Sequence, residues 1–251
     1  MESKYDTNLI EFGNTPQLPY SVQEAINRLR INTSFLGNDV RKIMIISSEP
    51  NEGKSFLAIN LWNQMAEAGE RTILVDADMR NSTLTSKYDL RRLDGKELMG
   101  TSHYLAGNAA LDEVLVHTKY GYGDLIPNVE NIINPSMLLE GKEFEDLLNN
   151  MAGKYRYVFV DAPPLGLVSD GERIGNLCDG AILSVRSGST SKSVVRESIR
   201  QLERAGCPLI GIVLNRVNES KGGYYSKKYG GKYGKYGYYS NYYYGSGKDE
   251  K

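Results

Sequence analysis

The chain has 251 residues, with 30 Lys+Arg against 31 Asp+Glu and a formal charge of −1. That length fits one α/β domain or two small ones, and it buries a core without a disulfide or metal staple. The charge balance excludes a general nucleic-acid binder; two cysteines, Cys178 and Cys207, exclude a disulfide scaffold, and two histidines, His103 and His117, a histidine-based zinc site.

Residues 1–19 are polar, lack a signal-peptide pattern and read as a flexible N-terminal segment. No apolar run approaches the roughly 18 residues of a transmembrane helix, so the expected setting is the cytoplasm. The spacing of Val22, Ile26, Leu29 and Phe35 or Leu36 predicts an amphipathic helix over 20–36. KIMIISS at 42–48 reads as a buried strand, 54–68 as a helix stopped by Gly69, and 71–78 as a strand ending in acids. Signals over 79–121 are weaker, with a helix near 109–116. Then follow a short strand at 123–126, one helix over 135–152 with Pro135 in its first turn, and a strand over 155–164. A helix over 169–177, a strand at 180–186, a helix over 190–205 and a strand at 208–217 complete the body. Strands alternate with helices and are near-continuous apolar runs. The expected fold is therefore α/β, a doubly wound, mostly parallel sheet of about six strands in one domain over 20–217.

Residues 218–251 differ in kind. They hold seven lysines and three acids, ten of the 18 tyrosines and eight of the 26 glycines, with no Leu, Ile, Val or Phe. This composition cannot form a core, and disorder is expected. The near-zero total charge thus splits into a body of −5 and a tail of +4.

Three strand ends carry chemistry. After the first comes Ser48-Glu49-Pro50-Asn51-Glu52-Gly53-Lys54-Ser55, opening a helix. This is similar to the phosphate-binding P-loop, with Ser48 in place of the first glycine. Loop and helix-terminal N–H groups would face phosphate oxygens, Lys54 would reach the β/γ-phosphates and the Ser55 hydroxyl would ligate Mg²⁺. Pro50, Asn51, Glu52, Gly53 and Phe56 complete the candidate nucleotide-binding set. Asp76 and Asp78 end the second strand, followed by Arg80, which could contact phosphate, brace the acidic pair or form a structural salt bridge. Asp161 ends a third strand, before Pro163 and Pro164. In a doubly wound sheet such ends converge on one crevice. A hard cation takes carboxylate, hydroxyl, phosphate and water oxygens, so the set fits nucleoside triphosphate chemistry.

These motifs resemble the P-loop ATPase group that includes the septum-site and chromosome-partition (MinD/ParA-like) ATPases. With the E-P-x-E-G-K-S spelling and the tyrosine-rich C-terminus, the chain from about Tyr20 onward resembles the bacterial tyrosine kinases of capsule and exopolysaccharide synthesis, in their stand-alone cytoplasmic form. The resemblance implies ATP and Mg²⁺, with Lys54 and Ser55 at phosphate and metal, and Asp76, Asp78 and Asp161 as its acids. Asn215 resembles a position that contacts adenine. Glu24, Arg28 and Arg30 fall in a counterpart of the E-x-x-R-x-x-R self-association helix, with Asn27 where the first arginine stands. A ring-shaped homo-oligomer, a transmembrane adaptor of the polysaccharide co-polymerase type that recruits the kinase to the inner membrane face, and a cognate phosphotyrosine phosphatase are implied partners; nucleic acid is not.

The implied reaction is autophosphorylation, in trans between subunits, of Tyr224, Tyr225, Tyr229, Tyr233, Tyr236, Tyr238, Tyr239, Tyr242, Tyr243 and Tyr244. A phenol has a pKa near 10, so a base must take its proton; Asp76 is chosen for that role, and Asp78, Asp161 and Ser55 for Mg²⁺. The split of roles within the acidic trio is open. Two competing readings are a positioning ATPase without kinase activity, and a tail that binds nucleic acid or polysaccharide by stacking.

Overall fold

Apolar runs punctuated by glycine and proline set the strands of this protein. The structure, a computed structural model, describes residues 8–118 and 122–217. In chain order the elements are β1 (Ile10–Phe12), α1 (Tyr20–Ser34), β2 (Lys42–Ser47), α2 (Lys54–Glu67), β3 (Thr72–Asp76) and α3 (Leu84–Tyr88). Next come β4 (Leu90–Arg92), α4 (Thr101–Leu105), α5 (Leu111–Val114), β5 (Val116–His117), β6 (Gly123–Ile126) and α6 (Ser136–Glu140). The last are α7 (Lys142–Lys154), β7 (Tyr157–Asp161), α8 (Asp170–Asn176), β8 (Gly180–Arg186), α9 (Lys192–Arg204) and β9 (Leu209–Asn215).

The main sheet has the order β5-β6-β3-β7-β2-β8-β9, parallel except for the antiparallel β5–β6 pair at one edge. Alternate residues of a strand point to opposite faces. Met44 and Ile46 of β2 join Val158 and Val160 of β7 in a core with Phe144, Leu147, Leu148 and Met151 of α7. Ile43 and Ile45 join Phe159 in a second core with Leu57, Leu61, Trp62 and Met65 of α2. Both faces are dry, which is why these strands read as unbroken apolar runs.

Three expectations are corrected. Within the segment expected to be flexible, Ile10–Phe12 is a strand, paired antiparallel with β4 from Ile10↔Arg92 to Phe12↔Leu90. Burial drives this: Ile10 is buried, and the Phe12 ring lies 6.2 Å from that of Trp62 and 6.4 Å from that of Tyr88. The helix expected near 109–116 is only Leu111–Val114, because Val116 is drawn into the sheet edge and gives it a seventh strand. The single helix over 135–152 is two, broken where Gly141 takes an extended conformation, φ −63° and ψ 151°.

The chain divides into two units, Met1–Asn215 and Arg216–Lys251. The proposed tail 218–251 and its ten tyrosines lie outside the described residues. No helix among the described residues is long and apolar enough to cross a membrane.

Candidate active site

β3, β7 and β2 are adjacent, and their registers align the strand ends. Asp161 pairs with Ile45 on one side and Asp76 on the other. Parallel strands leave the sheet at one edge, so the loop after β2 and the acids of β3 and β7 meet there.

The loop from Ser48 to Gly53 turns through two left-handed residues, Asn51 at φ 62° and Gly53 at φ 92°. Only glycine suits the second, since a Cβ there would stand 2.0 Å from Asn215 Nδ2. Ser48 needs no such freedom. It is buried, its hydroxyl accepts a hydrogen bond from Ser198 Oγ at 2.8 Å, and its carbonyl accepts one from Gly166 N–H at 2.9 Å. The first closed bond into α2 runs from Leu57 N–H to Gly53 carbonyl at 2.9 Å. The N–H groups of Lys54, Ser55 and Phe56 therefore lack helical partners, and no side chain caps this terminus. An uncapped helix start after a left-handed glycine is an anion site.

Around it sits a buried charge cluster. Lys54 Nζ lies 2.6 Å from Asp78 Oδ2, 3.6 Å from Asp161 Oδ1 and 3.3 Å from Ser55 Oγ. Burial pushes the Lys54 pKa down, but the charges of Asp161 and Asp78 and the hydrogen bond to Asp78 outweigh it and hold it above the ordinary value. Asp76 is fully buried; burial, and then the charge of Asp161, push its pKa up to about 8. Its Oδ1 accepts from Asp78 N–H at 3.2 Å and its Oδ2 from Ser82 Oγ at 2.5 Å. Burial also raises Asp161, against the pull of Lys54 and Ser55.

The donor set fits Mg²⁺ and a triphosphate. Asp161 Oδ1 is buried and makes no hydrogen bond, with Lys54 Nζ 3.6 Å away, so it keeps an acceptor for a cation. Among the described residues no group of three or more His, Cys, Asp or Glu forms a metal cage. Mg²⁺ in phosphoryl-transfer sites uses one or two carboxylates plus phosphate oxygens.

Other expected site residues stand as follows. Pro50 and Asn51 are exposed on the loop rim, and Phe56 is half-buried with Lys87 Nζ 5.7 Å from its ring centre. Glu52 is 1% exposed, and its carboxylate accepts from Glu49 N–H at 2.8 Å, Arg186 N–H at 3.1 Å and the Thr190 hydroxyl. Asn215 ends β9 and donates from Nδ2 to the Glu52 carbonyl at 3.0 Å. Arg80 forms a structural salt bridge: its Nε lies 2.5 Å from Oδ2 of buried Asp170. On α1, Arg30 donates to Asn27 Oδ1 at 3.1 and 3.0 Å, Arg28 is exposed and Glu24 half-buried. Sequence reasoning missed Ser82, Asp170, Ser184, Thr190 and Ser198. The last three come from 132 to 150 residues away from their loop partners, with no motif to mark them.

The AAA domain family matches residues 40–172. The chain is 33% identical to the tyrosine-protein kinase CpsD of Streptococcus agalactiae, over 86% of this chain and 90% of that one. The crystal structure of the chimerical protein CapA2B2 superposes with a TM-score of 0.72 at 28% identity, covering 82% of this chain and 88% of that one. The kinase domain of the Escherichia coli tyrosine kinase ETK gives 0.70 at 27% identity, covering 84% and 86%. With its strand–loop–helix phosphate site and three converging strand-end acids, this chain belongs to the bacterial tyrosine-protein kinases of the P-loop ATPase group.

Proposed function

We propose that the chain is an ATP-dependent protein-tyrosine autokinase acting on Tyr224, Tyr225, Tyr229, Tyr233, Tyr236, Tyr238, Tyr239, Tyr242, Tyr243 and Tyr244, in trans between subunits, and so regulating capsular or extracellular polysaccharide synthesis. The observation that carries the reading is the clustering of Lys54, Asp76, Asp78 and Asp161 at the uncapped start of α2, in a chain that also bears ten clustered tyrosines.

Phosphoryl transfer depends on positioning and charge neutralisation. Mg-ATP, when bound, supplies the phosphoryl group and a cation on the β/γ oxygens. The N–H groups of Gly53, Lys54, Ser55 and Phe56 would orient the phosphates. Lys54 would leave Asp78 for phosphate oxygen, freeing Asp78, with Ser55 and Asp161, to hold Mg²⁺ directly or through water. Asp76 is the proposed proton acceptor for the attacking tyrosine; Ser82 occupies its Oδ2, so that hydroxyl must turn away first. Pro50 and Asn51 would border the nucleotide, and Glu52 and Asn215 would shape the loop beneath it.

Self-association through Glu24, Arg28 and Arg30 is supported by their place on α1, whose first residue Tyr20 is 70% exposed and which is followed by Phe35, 79% exposed. A ring, a transmembrane adaptor that brings the kinase to the membrane, and a phosphotyrosine phosphatase complete the proposal.

The test is to incubate the full chain with Mg-ATP and map phosphorylation. Modified tail tyrosines in the parent but not in Lys54→Met support the kinase. ATP hydrolysis without tyrosine modification overturns it in favour of a positioning ATPase.

A further inference from the structure

Glu52 is a buried acid that no step of the reaction uses. Its carboxylate has no cation beside it among the described ion pairs; it is satisfied by three donors from three parts of the chain. Glu49 N–H comes from the phosphate loop itself, Arg186 N–H from the end of β8, and the Thr190 hydroxyl from the turn before α9. The Glu52 carbonyl is held as well, by Ser184 Oγ of β8 at 2.9 Å and Asn215 Nδ2 of β9 at 3.0 Å. Five hydrogen bonds thus converge on the residue just before left-handed Gly53. With 1% exposure the side chain is turned into the fold, not toward solvent.

We infer that Glu52 is a positioning residue, through which the β8–α9 turn and β9 set the direction of the phosphate-binding N–H groups. A carboxylate is acceptor-only and can take the two N–H groups and the hydroxyl together. Glutamine has the same shape, but its amide NH₂ would face one of those donors, and the loop must then twist to relieve the clash. Thr190 lies in a different loop and its hydroxyl donates to Glu52, so its removal is expected to reach the phosphates through Glu52. The inference rests on the reading that this loop binds nucleotide phosphates.

The experiment compares Glu52→Gln, Thr190→Val and the double variant with the parent, as full chains. Mg-ADP affinity is read by calorimetry, KM for ATP and kcat by autophosphorylation, and thermal midpoint without nucleotide. The expected result is a loss of Mg-ADP affinity of about tenfold in Glu52→Gln and a smaller loss in Thr190→Val. The double variant should be no weaker than Glu52→Gln, and KM should rise more than kcat falls. Parent-like affinity in Glu52→Gln overturns the inference. So do parent-like affinity in Thr190→Val, fully additive losses, or a loss accompanied by a matching collapse of the thermal midpoint. If Glu52→Gln does not fold, Thr190→Val alone decides. A parent that binds no Mg-ADP overturns both this inference and the nucleotide reading; a binding parent with indifferent variants overturns this inference alone.

Discussion

Lys54 Nζ and Asp78 Oδ2 stand 2.6 Å apart, and the lysine at the start of α2 is thereby held by an acid two strands away in the sheet order. A triphosphate must exchange one anionic partner of Lys54 for another. Lys54→Met is expected to lower tyrosine phosphorylation by at least about a hundredfold, since it removes a preorganised charge from the reacting phosphate. Phosphotyrosine immunoblotting after Mg-ATP treatment measures this.

Gly53→Ala should abolish tight nucleotide binding. The change puts a Cβ at φ 92° and 2.0 Å from Asn215 Nδ2, so both conformation and packing oppose it. The left-handed conformation alone costs about 1–2 kcal/mol for a residue with a side chain. Adding Asn215→Gly relieves the clash but leaves the strain, so calorimetry with Mg-ADP should show partial recovery at most.

The Arg80–Asp170 pair braces the loop after β3 against α6 and α8. Arg80 also donates to Ile133 carbonyl at 3.0 Å and to Ser136 Oγ at 3.1 Å. Arg80→Ala leaves Asp170, 2% exposed, without its cation and should destabilise the fold by about 3 kcal/mol. Urea unfolding of the single variant and of Arg80→Met with Asp170→Asn tests this, with the double variant the more stable.

Alkaline pH should weaken the fold. Burial pushes the Cys207 thiol up to about 12 and the Cys178 thiol well above its ordinary value, while unfolded thiols titrate near 8.5. The folded state keeps protons that the unfolded state loses, so stability falls as pH rises above about 8.5. Tyr88, also pushed up to about 12 by burial, adds in the same direction above pH ~10. Urea midpoints at pH 8 and 10.5 should differ accordingly, and Cys207→Ala should reduce the difference. A thiol reagent should label neither cysteine until the protein unfolds.

Phosphorylation of only three tail tyrosines would turn the tail charge from +4 to about 0 to −2, beside a body of −5. The proposed oligomer should loosen. Size-exclusion before and after Mg-ATP treatment reads this, and an unchanged elution volume with several phosphates attached counts against it.

The phosphate loop and the acids of β3 and β7 were legible because each ends an apolar run, and such ends meet in a doubly wound sheet. The residues proposed to contact phosphate, Gly53 to Phe56, are consecutive, so local pattern suffices. What escaped is long-range. Thr190 meets Glu52 across 138 residues, and Asp170 meets Arg80 across 90. Short amphipathic pieces escaped too: Ile10 and Phe12 look like stray apolar residues in a polar stretch until Trp62 and Tyr88 are brought beneath them. Gly141 illustrates a third failure, since the apolar spacing continues across the break and only the backbone turn there reveals two helices.

The pairing of Asp76 with Asp161 in the central ladder makes the site a matter of counting along the chain. A residue inserted in β3 or β7 would carry the acid about 3.3 Å along the strand and turn it to the opposite face. Side chains around the rim can vary while the sheet stays in register, but strand lengths cannot. Divergence in this protein should therefore accumulate as substitutions around the loop and as length changes in the connections, never as a shift within the two strands, β3 and β7, that end in Asp76 and Asp161.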